Sequence, residues 1–205
     1  MSDPQLPNRR KPEHFHDSYA ATPPWDIGHP QAPFLALAQA GELRGQVLDI
    51  GCGTGEHALM AAGVGLDTTG IDVVPAAIEI AKRKAQERGL KARFLVHNAL
   101  DLASLGEKFD TVLDMGLFHV FDDADRAAYV ESLKAATRPD AHYFMMCFSE
   151  HQPGDWGPRR VTQDEIRQNF SRGWHVEAIE AAKLEVNIDP NGVAAWLARI
   201  TRTDD

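Results

Sequence analysis

Residues Val47-Leu48-Asp49-Ile50-Gly51-Cys52-Gly53-Thr54-Gly55 join a short apolar run to a turn holding three glycines, and a helical pattern begins at Glu56. This segment constrains the fold more than any other. Strand, glycine turn and helix in direct succession describe the first unit of a βαβ fold, and residues without side chains let a ligand approach the backbone N–H groups at the helix start. The rest of the chain keeps the same alternation. Strand patterns at 46–50, 68–71, 92–96, 109–115 and 142–148 are separated by helical patterns at 56–62, 75–88 and 122–137, with a further helix at 32–43 ahead of the first strand. Thr162 with Glu165 three residues later forms a capping-box signature for a last helix, and strand-like runs at 174–186 and 193–200 flank turn residues Asp189 to Gly192. The expected fold is α/β and Rossmann-like: a mostly parallel, doubly wound sheet with one antiparallel strand near the C-terminus.

The 205 residues suffice for one such core, so the organisation read here is a flexible tail at 1–18 and a single domain at 19–205. Within it, 19–45 provides a lid and helix, 46–150 the cofactor-binding core, and 151–205 a loop, helix and strands. A net charge of −9 works against binding a phosphate backbone, which favours a small-molecule partner over nucleic acid. No apolar run approaches the roughly 20 residues of a membrane span. With only two cysteines, Cys52 and Cys147, each in an apolar setting, a reduced cytoplasmic location is expected.

In an open α/β sheet the ligand lies beyond the carboxyl ends of the strands, so the loops after Ile50, Ile71, Val96 and Met115 should line one site. A nicotinamide fingerprint G-x-G-x-x-G would need its third glycine at position 56, where Glu56 stands. The spacing Asp49-x-Gly51-x-Gly53-x-Gly55 instead resembles the first motif of class I S-adenosylmethionine-dependent methyltransferases. That resemblance implies a loop of Gly51, Cys52, Gly53, Thr54 and Gly55 carrying the methionine end of the cofactor, with Asp49 behind it. Asp72, with Val73, ends the second strand about twenty residues on, where a carboxylate can receive the ribose hydroxyls. Asn98 and Ala99 after the third strand match the loop that frames adenine, and Asp114 and Met115 match the strand end beside the methyl group. The implied cofactor is S-adenosylmethionine, leaving as S-adenosylhomocysteine, with no metal.

The acceptor is less sharply written. Asp114-Met115-Gly116-Leu117 lacks the Pro-Pro-aromatic signature of enzymes that methylate nucleobase amines. Thr22-Pro23-Pro24-Trp25-Asp26-Ile27-Gly28 resembles the lid loop of the thiopurine, thiol and halide methyltransferases, which implies that Trp25 covers the cofactor and that the acceptor is a thiol or other soft nucleophile. Phenol or quinol O-methylation, a nicotinamide oxidoreductase and a noncatalytic cofactor-binding module are the alternatives. His119, in an apolar stretch with Phe118, is the titratable side chain best placed to take a proton. Tyr19, Phe118, His119, Trp156 and Arg159 are the expected acceptor contacts.

Overall fold

The computed structural model describes Tyr19 and residues 21–204; the expected tail lies outside the described residues. Elements follow in the order α1 (Ala32–Gln39), β1 (Gln46–Ile50), α2 (Glu56–Gly63), β2 (Asp67–Asp72), α3 (Pro75–Glu87), β3 (Arg93–Val96), β4 (Phe109–Met115), α4 (Asp123–Ala136), β5 (Thr137–Phe148), α5 (Gln163–Asn169), β6 (Trp174–Val186) and β7 (Asp189–Arg202). Short 3-10 turns occupy Ala99–Leu105 and Phe118–Val120.

The sheet has seven strands in the order β3-β2-β1-β4-β5-β7-β6. Strands β1 to β5 pair in parallel, whereas β7 runs antiparallel to both β5 and β6, so β7 alone is reversed. The order turns back between β1 and β4, and this switch point opens a crevice at their carboxyl ends.

Side-chain alternation along the central strands divides the core between the two faces. Leu48, Ile50, Tyr143, Met145 and Cys147 join Tyr129 and Leu133 of α4, while Val47, Phe144 and Met146 join Phe34 and Leu37 of α1. Each large side chain so buried contributes about 1.5–3 kcal/mol of apolar transfer free energy. A third cluster locks α2 and α3 against β3 through Leu59, Ile78, Ala81 and Phe94.

Boundaries differ from the sequence reading at α1, which ends at Gln39 rather than at 43, at β5 and at the C-terminal hairpin. Strand β5 begins at Thr137, directly where α4 stops, rather than at His142. Asp140 makes this possible by adopting φ 61°, the left-handed conformation that an aspartate tolerates better than most side chains. The C-terminal hairpin turns at Asn187 and Ile188, because Val186 pairs with Asp189; the expected turn residues 189–192 lie inside β7. Asn187 is held there from outside the hairpin: its backbone N–H donates to Pro24 O at 2.9 Å and its side-chain amide to Pro23 O at 3.0 Å.

Candidate active site

A cavity of about 1100 Å³ lies at the carboxyl ends of the strands, running from the glycine turn after β1 to the β6–β7 hairpin. At the first end, Gly53 has φ 52°, and a Cβ there would come within 2.8 Å of the Tyr19 hydroxyl. Asp72 organises this turn from the end of β2. Its Oδ2 accepts the Gly53 N–H and its Oδ1 the Val74 N–H, both at 2.9 Å. Beneath the turn, buried Asp49 accepts the Ala58 N–H at 2.9 Å, capping the first turn of α2. Burial pushes its carboxyl up to about 7, helped by the charges of Asp72 and Asp114 and opposed by the Ala58 hydrogen bond. Burial, then Asp49 and Asp72, likewise push the Cys52 thiol upward, so it is a weak nucleophile.

Lys84 of α3 ties the turn to its neighbours. Its Nζ donates to Thr54 Oγ1 at 2.7 Å and Glu56 Oε1 at 2.8 Å, and lies 3.9 Å from Asp26 Oδ1. Glu56 is buried yet is held below the usual carboxylate range, because hydrogen bonds from Arg88 and Lys84 outweigh the burial that would raise it.

The segment ahead of α1 closes over this end. Trp25 Nε1 donates to the Tyr19 hydroxyl at 3.3 Å, and both rings line the cavity. Gln31, fully buried, pairs its side-chain amide with the backbone of Glu185, donating to its carbonyl at 3.0 Å and accepting its N–H at 2.8 Å. The Gln31 N–H donates to His57 Nε2 at 3.1 Å. Burial lowers His57 to about 4, so the ring is neutral and structural near pH 7.

At the other end the walls are apolar and aromatic: Met115, Leu117, Phe148, Trp156, Leu184 and Ile188. His119 lies among them, buried, with its ring edge-on to Phe148 at 5.1 Å. Its Nδ1 accepts the Phe148 N–H at 3.0 Å, which places the proton of the neutral ring on Nε2, next to Gly116. Below this wall Asp114 is fully buried, accepting the Tyr143 hydroxyl at 2.7 Å, the Tyr129 hydroxyl at 2.8 Å and the Leu117 N–H at 2.7 Å. Burial raises its carboxyl to about 6 against the pull of those bonds.

Residues 47–140 match a family described as a methyltransferase domain. The chain is 37% identical over 176 residues to a 2-heptyl-1-hydroxyquinolin-4(1H)-one methyltransferase of Mycobacteroides abscessus, covering 84% of this chain and 78% of that protein. It belongs to the class I S-adenosylmethionine-dependent methyltransferases. Another methyltransferase relative, a ubiquinone biosynthesis O-methyltransferase of Cereibacter sphaeroides, is 37% identical over 132 residues, 63% of this chain and 51% of its own. A solved structure described for the conversion of a disulfide bond into a thioacetal group during echinomycin biosynthesis superimposes with a TM-score of 0.85 at 38% identity, covering 94% of this chain and 93% of that one.

The methyltransferase cavity suits its cofactor. At Gly53 a side chain would fill the turn, and the carboxylate of Asp72 stands beside it at the end of β2, bracing the turn through the Gly53 N–H and lining the cavity. Of the residues expected to contact cofactor, Trp25, Gly51, Cys52, Gly53, Thr54, Asp72, Val73, Asn98, Ala99 and Met115 line the cavity. Asp49, Gly55 and Asp114 do not. Asp49 and Asp114 are buried behind the loops they brace, and Gly55 serves packing, since a Cβ there would meet Phe94 at 2.8 Å and Ala81 at 2.9 Å.

Among the expected acceptor contacts, Tyr19, His119 and Trp156 line the cavity, whereas Phe118 and Arg159 lie away from it. Phe118 is core, with the Arg126 guanidinium 4.6 Å from its ring centre, and Arg159 pairs with Asp123 and Glu165. The sequence reading missed Lys84, Phe148 and the hairpin residues Leu184, Val186 and Ile188. For Leu184 and Val186 a signal existed, since apolar residues two apart mark one face of a strand. Lys84 had none: in sequence it is one more basic residue near a helix C-terminus.

Proposed function

We propose that this methyltransferase acts on the acidic hydroxyl of a flat, largely apolar hydroxy-heteroaromatic molecule. The observation that carries this reading is His119, a buried imidazole whose Nδ1 is taken by the Phe148 N–H in an otherwise apolar end of the cavity. A ring held so is a donor through Nε2. Taking a proton at Nδ1 would break its bond to a backbone N–H that has no other tautomer. The site therefore favours an acceptor that ionises by itself near neutral pH, and the Nε2 proton stabilises and aims the resulting anion. This revises the proton-acceptor role that the sequence suggested for His119.

Bound S-adenosylmethionine supplies an activated methyl group on a sulfonium. In the proposed roles Asp72 holds the ribose, Asn98 and Ala99 border the adenine, the 51–54 turn receives the methionine portion, and Tyr19 and Trp25 exclude water. The acceptor hydroxyl gives its proton to solvent before transfer. The hydroxyquinolone and ubiquinone enzymes among the relatives support an oxygen acceptor and a flat ring.

A thiol or dithiol is the second reading. It is favoured by the 38% identity to the structure described for converting a disulfide into a thioacetal, and a thiolate shares the need for no base. Incubation with S-adenosylmethionine and a panel of N-hydroxyquinolones, quinols and small dithiols, with mass detection of the methylated product, separates the two. Turnover of hydroxyquinolones above all thiols is expected. Selective turnover of thiols would overturn the oxygen reading. His119→Gln should lower the rate by roughly tenfold to a hundredfold, the equivalent of a hydrogen bond to a charged group. Its pH profile from about 6 to 9 should follow acceptor ionisation as in the native enzyme; a defect that grows on the acid side, where a base would be needed, would restore the proton-acceptor role.

A further inference from the structure

The loop between β5 and α5 contributes Trp156, Gly157 and Pro158 to the cavity wall and folds around one side chain. Its base is pinched shut: Val161 N–H donates to Phe148 O at 3.0 Å, Glu150 N–H to Val161 O at 3.1 Å, and Trp196 Nε1 to both Glu150 Oε2 and Val161 O. Inside the loop lies the guanidinium of Arg160. Its Nε donates to Gln152 O at 3.3 Å, its Nη1 to Trp156 O at 2.6 Å and Pro158 O at 2.8 Å, and its Nη2 to Pro153 O at 3.3 Å and Gly154 O at 2.9 Å. The same guanidinium sits 5.5 Å from the centre of the Phe148 ring.

These contacts satisfy one planar fork with the carbonyls of a segment that otherwise has little to order it. Residues 153–158 include two prolines, which donate no N–H, and two glycines at φ 77° and 80°. A compact loop packed around its own side chain has a defined conformation that a lysine's single ammonium cannot reproduce. The product of that conformation is the position of Trp156. Its ring stands edge-on to Phe148 at 5.9 Å, and Phe148 in turn is edge-on to His119, so three rings lead from the buried imidazole to the cavity mouth. Trp156 is 41% exposed there, and the 60% exposed Ile188 of the hairpin also lines the cavity.

We propose that Arg160 is a positioning residue that sets acceptor specificity: it casts the 152–158 loop so that Trp156 forms the aromatic rim against which a flat acceptor seats. The proposal rests on the reading that the acceptor enters at this end, and a measurement needing no acceptor keeps the two separable. The enzyme labelled with 5-fluorotryptophan gives four fluorine resonances, one per tryptophan, with that of Trp156 assigned by W156F. In the Arg160→Met variant that resonance should move and sharpen toward the position of a solvent-exposed indole while the other three stay. Adenosylhomocysteine affinity by calorimetry should change less than about twofold, since the hydrogen bonds that hold the loop run to Arg160 and to its own base, not to the glycine turn. In turnover, Arg160→Met should raise the acceptor KM about tenfold with kcat within about threefold, the signature of lost uniform binding. Arg160→Lys should not rescue it. Trp156→Ala, which leaves the guanidinium fork in place, should raise the same KM. An unmoved Trp156 resonance in Arg160→Met overturns the loop-casting role. A moved resonance with unchanged acceptor KM, for whichever member of the panel is turned over, overturns the specificity role. Failure of the hydroxyquinolones with success of the thiols would refute the oxygen reading while leaving this test intact.

Discussion

At the residue scale, the site uses three aspartates in three ways that composition alone does not distinguish. Asp72 lines the cavity and holds the Gly53 and Val74 N–H groups; Asp49 and Asp114 face inward and never reach it. Asp72→Asn should therefore weaken adenosylhomocysteine binding by about 2 kcal/mol, a hydrogen bond to a charged group, with the fold retained because an amide oxygen still accepts one backbone N–H. Calorimetry with circular dichroism as a folding check measures this; a folded variant of unchanged affinity would contradict the ribose role. The sequence brought Asp72 to the cavity because a carboxylate at a strand end is a local pattern. It could not separate Asp114 from the cavity, since what draws that carboxylate inward is a pair of tyrosine hydroxyls from α4 and β5, brought together only by the sheet. Arg160 was equally illegible, because a side chain that folds into its own loop leaves no periodicity to read.

At the element scale, the proposed lid ahead of α1 is tied down by residues near both ends of the described chain. Its Pro23 and Pro24 carbonyls take the hairpin's Asn187, its Gln31 pairs with Glu185, and its Asp26 faces Lys84 on α3. The Pro-Pro-Trp stretch marked it as a structured loop, and the hairpin was visible as two strand-like runs. Their union was not, because the turn residues Asp189 to Gly192 carried a stronger local turn signal than Asn187 and Ile188, and tertiary bonds to the lid chose the latter. Cofactor binding is expected to slow hydrogen exchange at the Asp26 and Asn187 amides, which donate to Pro23 O and Pro24 O. Lys84→Met should reverse part of that protection and weaken adenosylhomocysteine about fivefold, the scale of one net hydrogen bond. If mass spectrometry finds protection confined to 51–55, the lid does not respond to cofactor.

At the scale of the whole molecule, buried acids set how stability follows pH. The folded protein holds a proton on Asp49 up to about pH 7, whereas the ordinary value is 3.8; Asp114, at about 6, behaves alike. Between those limits the folded state binds more protons than the unfolded one, so this contribution declines as pH rises from about 4 to 7 and is constant above. Asp49→Asn removes the Asp49 share of the decline while its amide oxygen still caps Ala58. The variant should gain several degrees of melting temperature over the native protein at pH 8 and little at pH 4, by calorimetric scans at both. An equal gain at both would mean that ionisation is not the cause. The division of the cavity has a longer reach. Residues 47–140 carry the turn and the strand ends on the cofactor side, while the lid, the Arg160 loop and the hairpin tip all fall outside that range. Drift in those outlying segments can exchange one acceptor for another with the donor machinery untouched, so two chains that look alike over the shared stretch need not share a substrate, and their differences should be sought in the flanks.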